Sequence, residues 1–170
     1  PRVEPVSATP VVQSAEFAAI DIASLRFWGR EVESRMRTGE LTVRSAEPDL
    51  FRANAVHERL DQWHRGVPVF GGELTRELRD GLTVSLGGKI YNGIEISTTP
   101  TLSADDIESR LGLGVGNRIV VRPTLTIWPG EESGYLLVYT VVMASADGIF
   151  EYFVDAHTGA IHQRVDRLQT

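Results

Sequence analysis

Apolar residues recur at helical spacing in the chain from residue 21 onward. The positions i, i+3, i+7 and i+11 are held by Leu25, Trp28, Val32 and Met36. Gly39 supplies a stop signal after the last of them. The pattern predicts an amphipathic helix over residues 22–38. Two ion pairs at i,i+4 spacing are expected on its polar side, Glu31 with Arg35 and Glu33 with Arg37.

The period of the pattern changes to two after this helix, which indicates strands. Leu41 and Val43 alternate with polar residues, and a polar loop is expected at 45–49, where Pro48 lies. The next block predicts a meander of antiparallel strands, with Asp80-Gly81 as a two-residue hairpin turn. The strands of this meander are expected at 56–63, 67–70, 73–78 and 82–86.

A second unit opens at Ser103, a good N-cap residue with Asp106 at position N3. Leu102 and Ile107 stand at the hydrophobic-staple positions, and a short helix to about Leu111 is expected. Runs of β-forming residues follow, separated by turns at 147–148 and 158–159. They predict strands at 119–128, 135–144, 149–156 and 160–167.

These elements predict an α+β fold of two consecutive lobes, each an antiparallel sheet packed against one or two helices. Residues 1–20, with Pro1, Pro5 and Pro10, are expected to form an extended arm. The two lobes are expected at 21–98 and 99–170.

Composition narrows the possible partners. The 170 residues include 17 Lys and Arg against 23 Asp and Glu, a net charge of −6, which disfavours nucleic acid and membranes as partners. Because the chain has no Cys, disulfides, thiol nucleophiles and Cys-based zinc sites are excluded. No apolar stretch is long enough to span a membrane, and we expect that any export signal has already been removed before Pro1.

No catalytic constellation is visible in the sequence. The segment starting at His57 lacks only the second His of the zinc-peptidase pattern H-E-x-x-H, but Asp61 replaces it, and strand residues four apart lie about 13 Å from each other. The glycine-rich stretch at 112–116 follows a helix and favours a turn over a nucleotide loop. We therefore expect a non-catalytic chain with no metal or cofactor of its own.

Other conspicuous residues favour structural roles. Asp155 precedes a turn at 157–159, whose backbone N–H groups its carboxylate is expected to cap. Trp28, Trp63 and Trp128 are expected in the core or at the seam between the lobes. The apolar strand faces at 67–70 and 135–139 suit either core or interface.

Two stretches resemble parts of protease proregions. Residues 57–62, then Gly-Val-Pro-Val-Phe-Gly-Gly at 66–72 and Asp80-Gly81, resemble the fungalysin/thermolysin propeptide motif, so that 21–98 would be the domain carrying it. The residues that carry this resemblance are His57, Arg59, Gln62, Gly66, Pro68, Phe70 and Gly71. Residues 135–139 and 152–159 are similar to a PepSY module, on Tyr152, Asp155 and Gly159.

The resemblance implies the proregion of a secreted thermolysin-type zinc metalloprotease. Such a proregion acts as an intramolecular chaperone and as an inhibitor of its cognate catalytic domain, which would be the partner and would hold the zinc. The expected location is extracellular or periplasmic. The last residues, Leu168, Gln169 and Thr170, resemble a proregion end and would form an inhibitory tail.

Three alternatives stay open at this point. The first is a free-standing PepSY-type module that binds or inhibits proteases without being part of a precursor. The second is an enzyme that uses His57 or Asp155. The third is a small-ligand carrier with a pocket between sheet and helix.

Overall fold

The computed structural model describes residues 13–17, 21–112, 116–130 and 134–167. The candidate inhibitory residues Leu168, Gln169 and Thr170 lie outside this part of the chain. The described elements, in chain order, are β1 (Gln13–Phe17), α1 (Ile22–Thr38), β2 (Leu41–Pro48), β3 (Ala55–His64), β4 (Val67–Arg79), β5 (Leu82–Asn92), α2 (Ala104–Leu111), β6 (Arg118–Gly130), β7 (Gly134–Ser145), β8 (Gly148–Asp155) and β9 (Ile161–Asp166).

Both predicted helices are confirmed, together with the signals that bound them. The Asp21 carboxylate accepts the backbone N–H of Ser24 at 3.0 Å and so caps the start of α1. Gly39 ends α1 in the left-handed conformation, with φ of 78°. Ser103 and Asp106 form a complete capping box at the start of α2.

Strands β2 to β5 form the predicted antiparallel meander, and β6 to β9 form a second one. The two sheets are not separate, however, because β4 belongs to both. Its later part pairs with β3 and β5, while Val69 near its start pairs with Ile127 of β6 in a parallel arrangement. The expectation of purely antiparallel sheets is therefore wrong at this contact. No local pattern signals it, since the two residues lie far apart in the sequence.

Several strands are longer than their patterns predicted. β1 lies inside the expected N-terminal arm and pairs with the end of β5. β2 continues through the expected loop to Pro48, with an irregularity between Val43 and Ser45. Proline is tolerated there because, among the described strands, β2 pairs only with β3 and lies at an edge of the sheet. β4 runs without interruption across residues 71 and 72, where the pattern suggested a break.

Each helix covers its own hydrophobic cluster. Val32 of α1 packs with Leu60 and Leu74, and Ile107 of α2 packs with residues of β6 to β8. Val67 and Val69 belong to the cluster under α2 although the rest of β4 and all of β5 separate them from that helix in the chain. The α+β class is thus confirmed, with β4 joining the two clusters. Neither described helix has the length and hydropathy needed to cross a membrane.

Candidate functional site

Two of the motif residues point away from α1, onto the polar face of the first meander. His57 and Arg59 alternate on β3 with the buried Leu60, and β4 places Glu77 and Thr75 opposite them. This face forms a polar groove of about 420 Å³. Within the described part of the chain, the Arg59 guanidinium has no hydrogen-bond or ion-pair partner.

His57 is fixed at this face by a carboxylate. Its Nε2 lies 3.0 Å from Oδ2 of Asp49, which precedes β3 in the loop. The other oxygen of Asp49 accepts the backbone N–H groups of Phe51 and Arg52. The hydrogen bond to His57 is the largest influence that lowers the pKa of Asp49, followed by that from Phe51. Asp49 therefore orders both its own loop and the imidazole.

Gln62 points in the opposite direction and is almost fully buried, at 4% exposure. Its Nε2 donates to the carbonyl oxygen of Tyr91 at 2.6 Å, and its Oε1 accepts the N–H of Tyr91 at 2.8 Å. The Gln62 side chain thus makes the two hydrogen bonds to the Tyr91 backbone that a neighbouring β-strand would make. The β3–β4 ladder is irregular between Asp61 and Trp63, which frees Gln62 for this contact.

The motif glycines make this arrangement sterically possible. A Cβ added at Gly72 would lie 2.6 Å from Oε1 and 2.7 Å from Cβ of Gln62, closer than any side chain tolerates. Gly71 has a φ of 71° and faces the Tyr91 hydroxyl. Gly66 follows Arg65 in the hairpin between β3 and β4, both with positive φ, as the tight hairpin turn requires. Pro68 of the motif stands opposite Trp63 at the start of β4.

A buried ion-pair cluster lies between α1 and the meander, and the sequence analysis did not find it. The Arg76 side chain is 3% exposed and binds Glu58 at 2.5 Å and Glu33 at 2.6 Å. The predicted pairs along α1 are wrong, because Glu33 reaches Arg76 while Arg35 binds Glu40 and Asn92. Alternating charge on β3 and β4 was the only available signal, and it does not show which carboxylates meet the arginine.

The sequence did not show which residues of the apolar strands at 67–70 and 135–139 belong to the core and which to an exposed surface. The structure separates the two groups. Val67 and Val69 are buried, and Tyr139 is buried with its hydroxyl bonded to the carbonyl of Leu102. Phe70 is the exception, being 46% exposed. Its ring meets Phe153 edge-on at 5.0 Å. The ring of Trp128 also lies near that of Phe153, with the ring centroids 5.8 Å apart, and it neighbours His162 as well.

Asp155 organises the turn that follows β8. Its Oδ1 accepts the N–H groups of His157 and Thr158 at 2.8 and 2.7 Å, and its Oδ2 lies 3.3 Å from Nε2 of His162. Burial alone would raise the pKa of Asp155, but the hydrogen bonds from Thr158, His157 and His162 outweigh it and lower the pKa. Gly159 completes the turn at a φ of 77°.

Helix α2 covers the same turn. Nη1 of Arg110 donates to the carbonyl of Thr158 at 3.1 Å, and a Cβ at Gly159 would lie 2.6 Å from that nitrogen. Tyr152, on β8, is half-buried against the cluster under α2. The motif residues of the second meander therefore hold a turn and a helix together, and they lie apart from His57 and Arg59.

The described residues offer exposed surfaces on which a partner could bind. Among them, no three His, Asp or Glu side chains lie close enough to hold a metal ion. Among the motif residues, His57 and Arg59 on the polar face and the exposed ring of Phe70 are accessible to a partner.

Comparisons with known proteins identify the first meander. Residues 39–90 match the family described as Fungalysin/Thermolysin Propeptide Motif. Among solved structures, the C-terminal domain of YpeB from Bacillus megaterium is similar at a TM-score of 0.47 and 14% sequence identity, over 87% of this chain and 66% of that one. A search of curated proteins found no match. The match with this motif extends from α1's capping glycine to the core residue Ile90.

Proposed function

We propose that this chain is the proregion of a thermolysin-type zinc metalloprotease and acts as chaperone and inhibitor of the cognate catalytic domain. The observation that carries the proposal is the propeptide motif over residues 39–90. On this proposal the chain itself is not catalytic, and the zinc belongs to the partner. The chain would be exported with its protease and act outside the cell or in the periplasm.

The geometry supports two different roles for the motif residues, one in the fold of the chain and one in contact with the partner. Gln62, Gly71 and Gly72 serve the internal clamp on Tyr91, so substituting them would change the fold first. His57, Arg59 and Phe70 point outward, and the proposal assigns them to contact with the catalytic domain. A guanidinium without an internal partner and an exposed aromatic ring are typical anchors of protein interfaces.

Inhibition is assigned to the end of the chain. In this proposal, residues 168–170 extend beyond β9 into the cleft of the protease, where extended backbone pairs with a strand edge. A cut of the precursor after Thr170 is part of this proposal, and the terminal carboxylate that it creates would then approach the zinc, for which carboxylate oxygens are good ligands.

Assistance in folding needs only preferential binding to the folded catalytic domain. A chain that binds the folded form and not the unfolded form shifts the equilibrium by mass action. The continuous sheet described above, braced by two helices, offers a rigid surface for such binding.

The proposal is tested with the full chain and the mature protease from the same precursor. Titration of the chain should inhibit cleavage of a peptide substrate with one-to-one stoichiometry. Dilution of the denatured protease from denaturant should give more active enzyme when the chain is present. The double variant Arg59→Ala/Phe70→Ala should weaken both effects, while Leu50→Ala, at a 91% exposed position elsewhere, serves as the matched control.

Two results would overturn the proposal. One is a folded chain that neither inhibits the protease nor raises its refolding yield. The other is inhibition of unrelated proteases with equal strength, which would instead indicate a free-standing protease-binding module.

A further inference from the structure

A second surface, whose lining residues differ from those of the polar face, lies between α1 and the first residues of β5. It is a groove of about 960 Å³ with an apolar floor. Ile22 and Leu82 are 72% and 70% exposed there, and Val84 is 37% exposed. Large apolar side chains so open to solvent and so close together are uncommon on a monomer, and they often mark interaction sites.

Among the described residues, the backbone that borders this groove is a free strand edge. β5 pairs with β4 from Leu82 to Lys89, with a bulge at Val84, but on its other side the described strand β1 pairs only with residues 88–92. In the part of the chain that the structure describes, no strand pairs with residues 82–87 on that side, and no other backbone hydrogen bond reaches them. Such an edge presents N–H and C=O groups ready to pair with another extended chain.

The rim of the groove is basic. Arg26, Arg30 and Arg37 of α1 line it, and none of them has a hydrogen bond or ion pair among the described residues. Glu33, the carboxylate on the same side of the helix, is already engaged by Arg76. The whole chain carries a net charge of −6, so the positive charge at this rim is opposite in sign to that of the protein as a whole.

We propose that this groove binds an extended acidic segment of a partner protein, which adds to the free edge of β5 as a further strand. Alternate apolar side chains of the segment would contact Ile22, Leu82 and Val84. Its carboxylates would face the three arginines, whose planar guanidinium groups bind carboxylates well.

The geometry favours this occupant over two others. A helix would place no free backbone groups against the β5 edge, because its own hydrogen bonds use them. A membrane surface could meet the arginines and the apolar side chains, but it cannot pair with a strand edge. The inference does not rest on the proposed function, because the groove involves neither the polar face nor Phe70.

The test uses the full chain and a fluorescent peptide of alternating Val and Glu residues. Binding measured by fluorescence polarisation should be saturable and should weaken as salt is added. Hydrogen exchange of the amides in residues 82–87 should slow when the peptide is bound. A peptide of alternating Val and Lys, and the Val-Glu peptide methylated at alternate backbone nitrogens, should bind at least about tenfold more weakly.

Variants locate the binding in the groove. Arg26→Glu/Arg30→Glu and Leu82→Glu should each weaken binding by about tenfold or more. Outside the groove, Arg118→Glu reverses the charge of one exposed arginine and Leu50→Glu places a carboxylate at one exposed leucine, and both should leave binding unchanged. All five positions are exposed, and circular dichroism verifies that each variant is folded.

Four results would overturn the inference. They are absence of peptide binding, equal loss in the Arg118 and Leu50 controls, equal binding of the methylated peptide, and binding only to phosphatidylglycerol vesicles. The methylated-peptide result would exclude strand addition, and the vesicle result would indicate a lipid surface instead. Each is independent of protease inhibition, so the two proposals can fail separately.

Discussion

The side-chain amide of Gln62 occupies the place of a neighbouring strand for the backbone of Tyr91, giving and receiving one hydrogen bond. Through this contact the end of β3 holds the end of β5, where the chain leaves the first meander for the second. Gly72 must lack a side chain for the amide to fit. One buried polar residue thereby holds in place the end of β5, where the chain leaves the motif.

Gln62→Ala should lower the free energy of unfolding by about 2 kcal/mol or more, because both backbone groups of Tyr91 would lose their partner in a buried place. Gln62→Glu should also destabilise, since a carboxylate accepts the N–H but repels the carbonyl oxygen. Urea unfolding measures both. Gln163→Ala and Gln163→Glu on β9, at an exposed position, should change stability by less than about 0.5 kcal/mol. Equal losses at the two positions would contradict the clamp.

Arg76→Met should lower the free energy of unfolding by about 3 kcal/mol, because it leaves the nearly buried carboxylate of Glu58 without a counter-charge. The double variant Arg76→Met/Glu58→Leu should recover most of the loss, since it removes that carboxylate as well. Thermal unfolding of the two single variants and the double variant gives the coupling.

The matched control for the arginine is Arg44→Met. Arg44 also pairs with two carboxylates, those of Asp61 and Glu73, but its side chain is 44% exposed. Its loss should therefore cost no more than about 1 kcal/mol. A double variant no more stable than Arg76→Met would show that the ion pairs do not account for the effect.

Asp155→Asn should make stability less dependent on pH. The pKa of Asp155 is lowered in the folded chain from its ordinary value of 3.8, so its charge stabilises the fold above that pH, and this contribution disappears as the pH falls through the folded value. At neutral pH the variant should be less stable by about 1 kcal/mol, because a neutral amide oxygen accepts the turn's N–H groups more weakly.

Melting temperatures of both proteins between neutral pH and about pH 3 measure this difference. It should shrink toward the acid end. Asp147→Asn, which makes the same substitution in the exposed turn before β8, is the matched control. A difference that stays constant across the range would mean that the turn depends on the shape of the Asp155 side chain and not on its charge.

Removal of residues 168–170 should weaken inhibition of the cognate protease at least about tenfold while leaving the melting temperature unchanged, because terminal residues contribute little to a core. A chain lengthened by one Gly after Thr170 separates the two parts of the proposed mechanism. It keeps the extended backbone but moves the terminal carboxylate, so it should inhibit with intermediate strength. Inhibition by the shortened chain as strong as by the full chain would exclude the tail.

Local sequence patterns predicted helices and strands correctly wherever the residues that start, stop or turn an element lie close together in the sequence. The caps at Asp106 and Gly39, and the hairpin at Asp80-Gly81, act within a few residues, so the sequence displays both partners at once. The propeptide motif was likewise visible as a string of residues. The long strands were underestimated because the pattern of β4 changes where it passes from one sheet into the other.

By itself, the sequence determined the helices, most of the strands and the motif, because apolar periodicity, caps and turn residues act locally. Only the tertiary structure decided which side chains meet. It placed Arg76 between carboxylates of a helix and a strand, Gln62 against Tyr91, and Val69 beside Ile127. Among the described residues, it also left the edge of β5 at residues 82–87 without a partner strand beside three arginines. Contacts between residues far apart in the chain depend on the packing of whole elements, and no short stretch of sequence contains that information.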